Sequence, residues 1–432
     1  MKRNSLFGSS GIRDIVDRNL VDIMFQVGLS VGNSYRSVII GSDTRTSSEA
    51  IRHTVIGALL ASGADVYDAG IAPTPTVAYN TRYFDAGIMI TASHNPPAYN
   101  GIKLCNPNGS AFDSQQRIQV EESITANSSQ VAPWRNMGKY WPYPNAIEQH
   151  LKWLLQDCAR DFNLKVVLDC GCGAGYVITP YLLERMGCEV IAINSHASGF
   201  FPRPSEPTEE NLAELTDVVR FTNANVGIAH DGDADRMVAV DDKGRVIPGD
   251  KLLVILARNS GASKIVTTVD ASMAVAEAGF EVVTTRVGDA FVSDALINGG
   301  DFGGEPSGAW IFPKTSLCPD GIQAAAQIIK VASKTKLSTI VDSIPSYPIV
   351  RGSIALNSLE MTAVEQKISA QVKIVRTFTE DGLKIVLDDG WILIRPSGTE
   401  PKMRITVEAK NDNLAQDLYN LAVQTINECS LL

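Results

Sequence analysis

The feature that most constrains this chain is a strand–turn–helix–strand grammar that appears three times. "SVIIGSDTRTSSEAIRHTVIGALLASGADVYDAG" (residues 37–70) opens on an apolar strand, turns, and runs through a helix with Ile51, Val55, Leu59 and Leu60 on one face. Thr46 with Glu49 predicts a capping box, Gly63 predicts the helix stop, and a second strand follows. The same order returns in "KVVLDCGCGAGYVITPYLLERMGCEVIAIN" (165–194), with a stop at Gly187, and in "KIVTTVDASMAVAEAGFEVVTTRVG" (264–288), with a stop at Gly279. Strands alternating with helices require long crossovers, and hence mixed, largely parallel sheets. The tail differs: "GLKIVLDDGWILIRPSGTEPKMRITVEAK" (382–410) is strand-rich, with Asp389-Gly390 as a hairpin signal, and precedes a helix carrying Leu414, Leu418, Leu421 and Ile426. The expected fold class is α/β, with three similar α/β domains and a smaller C-terminal α+β domain. Boundaries are placed at 1–145, 146–247, 248–350 and 351–432.

A length of 432 residues exceeds one hydrophobic core and agrees with several domains. The formal net charge of −10, with no basic run, argues against a nucleic-acid footprint. The N-terminal "MKRNSLFGSSGIRD" lacks the apolar stretch of a signal peptide, and no apolar run is long enough to span a bilayer. Seven scattered cysteines are too dilute for a disulfide scaffold, and Cys170 and Cys172 lack a second pair for zinc, so buried thiols and a cytoplasmic location are expected.

Four loops carry polar chemistry. "TASHNPPAYNGIKL" (91–104) follows the buried-strand pattern "AGIMI", which puts Ser93 at a strand's C-terminal end, where open α/β sheets bind ligands. Taken alone, Ser93 beside His94 fits an exposed turn better than a nucleophile. "AHDGDADRMVAV" (229–240) sets Asp231, Asp233 and Asp235 at alternate positions. Three carboxylates that close repel unless a cation neutralises them, and an all-oxygen set suits Mg²⁺ or Ca²⁺. An EF-hand is excluded because Arg236 stands where that loop needs glycine. "FGGEPSGAWIFP" (302–313) offers Glu305 and Ser307 among glycines, a weak signal for hydroxyl or amine recognition. "RPSGTEPKMR" (395–404) gathers Arg395, Ser397, Thr399, Lys402 and Arg404 around Gly398, a cradle for phosphate without being a Walker loop. Jointly the four loops outline phosphoryl transfer on a polar, phosphorylated small molecule.

The ordered set "FGSSGIRD", "TASHNP", "DGDADR", "GEPSG" and "RPSGTEP" resembles the α-D-phosphohexomutase superfamily over essentially the whole chain. The resemblance implies four domains around a central cleft, each contributing one loop. It implies Ser93 as the phosphoryl carrier and a single Mg²⁺ held by Asp231, Asp233, Asp235 and the Ser93 oxygen. Glu305 and Ser307 would contact sugar hydroxyls, while Arg395, Ser397, Gly398 and Thr399, with Arg404 beside them, would hold the non-reacting phosphate. "RPSGTEP" and "TRVGDAFV" (285–292), the latter with Gly288, look most like the phosphoglucosamine mutase branch. Ala309 after Gly308, where the loop often carries histidine, is similar to the archaeal-type members.

The reaction this implies interconverts hexosamine 6-phosphate and 1-phosphate through a phosphoserine and a 1,6-bisphosphate, with hexose 1,6-bisphosphate as primer. Phosphomannomutase/phosphoglucomutase specificity is the alternative. In that scheme Arg13 and Arg236 clamp the phosphoryl oxygens, Lys103 is the first candidate base, its pKa lowered by neighbouring cations, and His94 the second. The partner is a small sugar phosphate, with neither nucleic acid nor membrane, and a homodimer is allowed. Two rivals remain: a non-catalytic sugar-phosphate-binding protein and a methyltransferase. "VVLDCGCGAG" is similar to a glycine-rich S-adenosylmethionine loop, but Asn194 stands where that family needs an acid.

Overall fold

The three strand–helix openings fold as three separate sheets, and the tail supplies a fourth. A computed structural model describes residues 5–8, 10–156, 161–356, 359–396 and 402–430. The first sheet contains β1 (Ile12–Ile15), β2 (Ser37–Ser42), β3 (Asp65–Ile71), β4 (Ala86–Ile90), β5 (Tyr99–Cys105) and β6 (Tyr140–Pro142), in the order β1-β5-β4-β2-β3-β6. β2 pairs in parallel with β3 and β4, whereas β5 runs antiparallel between β4 and β1.

The second sheet holds β7 (Lys165–Asp169), β8 (Glu189–Ile193), β9 (Val226–His230) and β10 (Met237–Val240), ordered β10-β9-β7-β8 with β10 antiparallel. The third holds β11 (Lys264–Thr268), β12 (Glu281–Thr285), β13 (Phe302–Gly304) and β14 (Trp310–Ile311), ordered β12-β11-β13-β14 with β14 antiparallel. The C-terminal sheet, β15 (Ile349–Ala355), β16 (Arg376–Phe378), β17 (Leu383–Leu387), β18 (Gly390–Pro396) and β19 (Lys402–Ala409), is antiparallel throughout. The expected class, three mixed α/β units and a smaller α+β unit, is the observed one.

Two local expectations are corrected. Helix Ser48–Ser62 buries Ile51, Val55 and Leu59 and ends at Gly63, whose φ is +96, but its Ser47 N-cap makes no side-chain bond and the Thr46–Glu49 capping box is absent. The Ser48 hydroxyl instead donates to buried Asp43 at 2.5 Å, because a carboxylate out of water recruits nearby donors. In the tail hairpin, β17 and β18 pair Leu387 with Gly390, so Asp388 and Asp389 form the turn and Gly390 starts the strand. The helix behind that sheet, Asp412–Ser430, buries Leu418 and Ile426, with Leu414 and Leu421 partly covered.

The cores do not follow the four sheets one to one. The first sheet packs around Leu20, Met24, Ile40, Ile88 and Leu104. The C-terminal unit has its own cluster around Ile385, Ile394, Val407 and Leu418. The second and third sheets share one continuous core running from Leu151 through Leu168, Ile228, Leu253 and Ile265 to Ile329 and Ile344. Each fully buried aliphatic side chain there contributes about 1.5–3 kcal/mol of transfer free energy. A small cluster of Val269, Trp391 and Leu393 joins the third unit to the C-terminal sheet. There Lys384 Nζ donates to the Val269 carbonyl at 2.6 Å, and Glu408 accepts from the Met273 N–H at 2.6 Å.

Candidate active site

Ser93 stands three residues beyond β4, whose residues are all buried, at φ +50 in the left-handed region that a non-glycine residue enters only when its surroundings fix it. Buried Arg45 provides that fixing. Its two terminal nitrogens donate to four carbonyls of this loop: Ser93 at 2.8 Å, Asn95 at 2.7 Å, Pro96 at 2.7 Å and Tyr99 at 2.9 Å. Its Nε pairs with Asp43 at 3.1 Å. The Ser93 N–H donates to Thr91 Oγ1 at 2.8 Å. The loop is therefore a rigid mount and not a solvated turn.

The Ser93 hydroxyl donates to Asp231 Oδ2 at 2.7 Å. Gly232 lies so close beneath the loop that a β-carbon there would meet the Ser93 carbonyl oxygen at 2.6 Å. Asp231, Asp233 and Asp235 are all buried, and one oxygen from each lies within 4.8 Å of the others. Lys103 Nζ bridges Asp233 at 2.6 Å and Asp235 at 2.5 Å, and the Thr74 hydroxyl donates to Asp233. Asp233 Oδ1 and Asp235 Oδ1 have no hydrogen-bond partner among the described residues. Buried carboxylate oxygens left without donors, beside a third carboxylate, fit a hard divalent cation such as Mg²⁺.

The electrostatics follow from this crowding. Burial, then the charges of Asp235 and Asp233, pushes the Asp231 carboxyl well above its ordinary range. Burial, then Asp233, raises Asp235 as well. Burial alone would raise Asp233, but the Lys103 ammonium overrides it and holds that carboxyl below the usual range. Lys103 departs from the sequence expectation. Burial would lower its pKa, yet Asp233 and Asp235 raise it above the ordinary lysine value. Burial, then Arg236 and Arg13, depresses His94 to about 3, so its imidazole is neutral, with Nδ1 3.4 Å from the Ser93 oxygen. Arg13 on β1 donates to Asn95 Oδ1 at 3.1 Å. Arg236 pairs with Glu206 at 3.2 Å, and its N–H donates to Asp231 Oδ1 at 3.2 Å.

The loop of Glu305 and Ser307 joins β13 to β14. Trp310 at its far end is fully buried and donates its indole N–H to the Met237 carbonyl beyond the aspartates at 2.8 Å, tying the two loops together. Glu305 accepts the Gly288 N–H at 2.8 Å, and Gly288 takes φ +136. Burial, then Asp289, raises the Glu305 carboxyl to about 7. Ser307 is exposed and lines a cavity of about 240 Å³ with Glu206 and Thr208.

In the C-terminal unit, Arg395 pairs with Asp381 at 2.8 Å, and its buried Nε has no partner among the described residues. Strand register places Arg395 opposite Arg404, and Arg404 opposite Ser353. Arg351, Arg395, Lys402 and Arg404 line a cavity of about 390 Å³ in which Asp270 is the one acid among the described residues. Ser397, Gly398 and Thr399 lie outside the described residues.

Sequence reading missed Arg45, Thr74 and Arg351. Arg45 follows β2 in "GSDTRTSS", a strand-end loop of the kind that carries ligands, and that was its only signal. The glycine-rich "VVLDCGCGAG" segment has a packing role: the Ala174 N–H donates to the Gly232 carbonyl at 2.9 Å, and a β-carbon at Gly173 would strike that oxygen at 2.6 Å. The segment braces the aspartate loop, and Asp169 is taken by Arg203 at 2.7 Å. The methyltransferase rival finds no support.

Four models of the phosphoglucomutase/phosphomannomutase family match the chain: alpha/beta/alpha domain I over residues 4–131, domain II over 142–244, domain III over 248–347 and the C-terminal domain over 359–421. The chain is 45% identical to a protein named probable phosphoglucosamine mutase from Methanocella arvoryzae, over 98% of both chains. It is 44% identical to a protein of the same name from Methanococcoides burtonii, over 98% of this chain and 99% of the relative. The crystal structure of a phosphoglucomutase/phosphomannomutase family protein from Burkholderia thailandensis superposes with a TM-score of 0.86 at 26% identity, covering 98% of this chain and 97% of that one.

Proposed function

This chain belongs to the phosphoglucomutase/phosphomannomutase family, whose members are isomerases acting on sugar phosphates, and we propose that it interconverts glucosamine 6-phosphate and glucosamine 1-phosphate. The observation that carries the chemistry is the 2.7 Å contact of the Ser93 hydroxyl with Asp231, inside the buried aspartate set. The amino-sugar assignment draws on relatives of that name at 44 and 45% identity over nearly the whole chain.

In this reading Ser93 carries the transferable phosphoryl group, which brings about −1.5 to −2 charges into the site. Asp231, Asp233, Asp235 and the Ser93 oxygen would hold one Mg²⁺, which when bound supplies charge neutralisation and Lewis acidity at the transferring phosphoryl group. Arg13 and Arg236 orient the phosphoryl oxygens. Lys103 is the first candidate to take the sugar hydroxyl's proton; its grip on two carboxylates must loosen before it can do so. His94, neutral, is the second.

Glu305 and Ser307 position sugar hydroxyls. Arg395, Ser397, Gly398, Thr399 and Arg404 seat the phosphate that is not reacting. Ser93 gives its group to form a 1,6-bisphosphate, which turns end for end and returns the other phosphate to Ser93, so hexose 1,6-bisphosphate primes the enzyme. Phosphoryl transfer of this kind is mainly a matter of positioning and charge stabilisation.

A coupled assay with glucosamine, glucose and mannose phosphates, Mg²⁺ and a trace of bisphosphate tests the reading. Glucosamine phosphate should give the highest kcat/KM. Faster turnover of glucose or mannose phosphate would replace the amino-sugar assignment with the phosphoglucomutase/phosphomannomutase one.

A further inference from the structure

The Arg395 cavity and the loop of Glu305 belong to different units, and one carboxylate oxygen reaches toward both. Asp381 Oδ2 accepts from Arg395 Nη2 at 2.8 Å within the C-terminal unit, and from the Val287 N–H of the third unit at 3.0 Å. The next amide along the chain, that of Gly288, is the one Glu305 accepts at 2.8 Å. Two consecutive N–H groups are therefore held by two carboxylates, one from beside Arg395 and one from the loop of Glu305.

The local sequence puts Asp381 in this place. It stands two residues before β17, whose first residue, Leu383, pairs with Ile394 on β18. Gly382 between them takes φ +83, and a β-carbon on it would strike the Ile394 carbonyl oxygen and come within 3.0 Å of Arg395 Cα. Glycine is what lets this turn lie against the strand that carries Arg395. On the other side, Val287 and Phe378 pack against the Val269, Trp391 and Leu393 cluster that joins the two units.

Asp381 is not among the described residues that line the cavity of Arg351, Arg395, Lys402 and Arg404. It stands behind the guanidinium, on one terminal nitrogen, and leaves the buried Nε without a partner among the described residues. An unrestrained arginine has several rotamers to give up when it meets an anion. One already held by a carboxylate has fewer left to lose, so the anion binds a prepared group.

We infer that Asp381 is a positioning residue: it aims the Arg395 guanidinium into the cavity and, through Val287, keeps that cavity in register with the loop of Glu305. The inference rests on the proposed role of Arg395 in seating the non-reacting phosphate, and adds the residue that sets it.

A double-variant cycle tests this, with kcat/KM measured for wild type, Asp381→Ala, Arg395→Ala and the pair. The substrate is glucosamine 6-phosphate, or glucose 6-phosphate should wild type prefer it, with Mg²⁺ and glucose 1,6-bisphosphate present. Asp381→Ala should lower kcat/KM about tenfold in the wild-type background and less than about twofold once Arg395 is gone. Loss of folded enzyme would lower both backgrounds alike, so the difference reports position and not stability. If Asp381→Ala gives no soluble protein, Asp381→Asn, which keeps an acceptor oxygen and loses the charge, is read the same way. Equal losses in the two backgrounds overturn the role of Asp381, and so does an unchanged or raised kcat/KM in Asp381→Ala, the mark of an acid that is idle or competes with phosphate. A wild type without mutase activity, or an Arg395→Ala enzyme with wild-type kcat/KM, refutes the underlying reading instead.

Discussion

Ser93 and Asp231 are 138 residues apart in sequence and 2.7 Å apart in space, joined across the gap between two sheets by a hydroxyl–carboxylate hydrogen bond. If that hydroxyl carries the phosphoryl group, Ser93→Ala should lose turnover by about 10³-fold or more. Intact mass should show phosphate on the wild-type chain and none on the variant. Wild-type turnover in Ser93→Ala would rule out the phosphoserine cycle.

The orphaned oxygens of Asp233 and Asp235 make a metal prediction. Mg²⁺ at about a hundred times its Kd adds roughly 2.7 kcal/mol to the folded state, which should raise the melting temperature by about 3 °C for a chain of this length. Chelation should reverse the shift. Asp233→Asn should show neither the shift nor Mg²⁺-dependent activity, as checked by differential scanning fluorimetry beside the coupled assay.

Arg45 reaches four loop carbonyls and Asp43 with a planar fork that lysine lacks. Arg45→Lys should therefore let Ser93 leave its left-handed conformation. We expect kcat to fall about 100-fold with KM changed by less than about threefold, because the residue positions the nucleophile and touches no substrate. Steady-state kinetics distinguish the two effects.

Glu305 sets a pH dependence. Its carboxyl titrates at about 7 when folded, against an ordinary 4.5, so folding takes up a proton between those values. Its contribution to stability is complete below about pH 4.5 and is lost as pH rises through 7, a change on the order of 3 kcal/mol at most. Glu305→Gln should flatten that fall in urea titrations at pH 5 and 8. The same variant should be less active, since a neutral amide binds hydroxyls and amines more weakly than a carboxylate.

Arg351 would widen the proposed anion seat beyond the loop at residues 395–404. It lines the same cavity as Arg395 and Arg404, and no described residue neutralises it by an ion pair. Arg351→Ala should raise KM for sugar phosphates about five- to tenfold with little change in kcat, the mark of uniform binding. A matched loss in kcat would place Arg351 in transition-state stabilisation instead.

Much of this was legible in the sequence because the relevant signals are local. Alternation of apolar strands with helices gave the fold class, and the spacing of Asp231, Asp233 and Asp235 gave a cation site within one turn. Long-range relationships left no such trace. Arg45 meets Ser93 through backbone carbonyls, whose identity the sequence does not encode, and Arg351 reaches the anion seat only through strand register. The Ser48–Asp43 bond is of the same kind: a buried acid's need for donors depends on packing. Lys103 titrates upward and not downward because its partners are carboxylates from another sheet.

The continuous core beneath the second and third sheets has a bearing on modularity. Four sheets stand in the fold, but the interior offers three breakable units, since Leu168 and Ile265 belong to a single apolar mass. Chimeras between relatives should then tolerate exchange of the first or the last unit by itself, while the central pair has to travel together. Loop chemistry can diversify one piece at a time; the scaffold that carries it cannot.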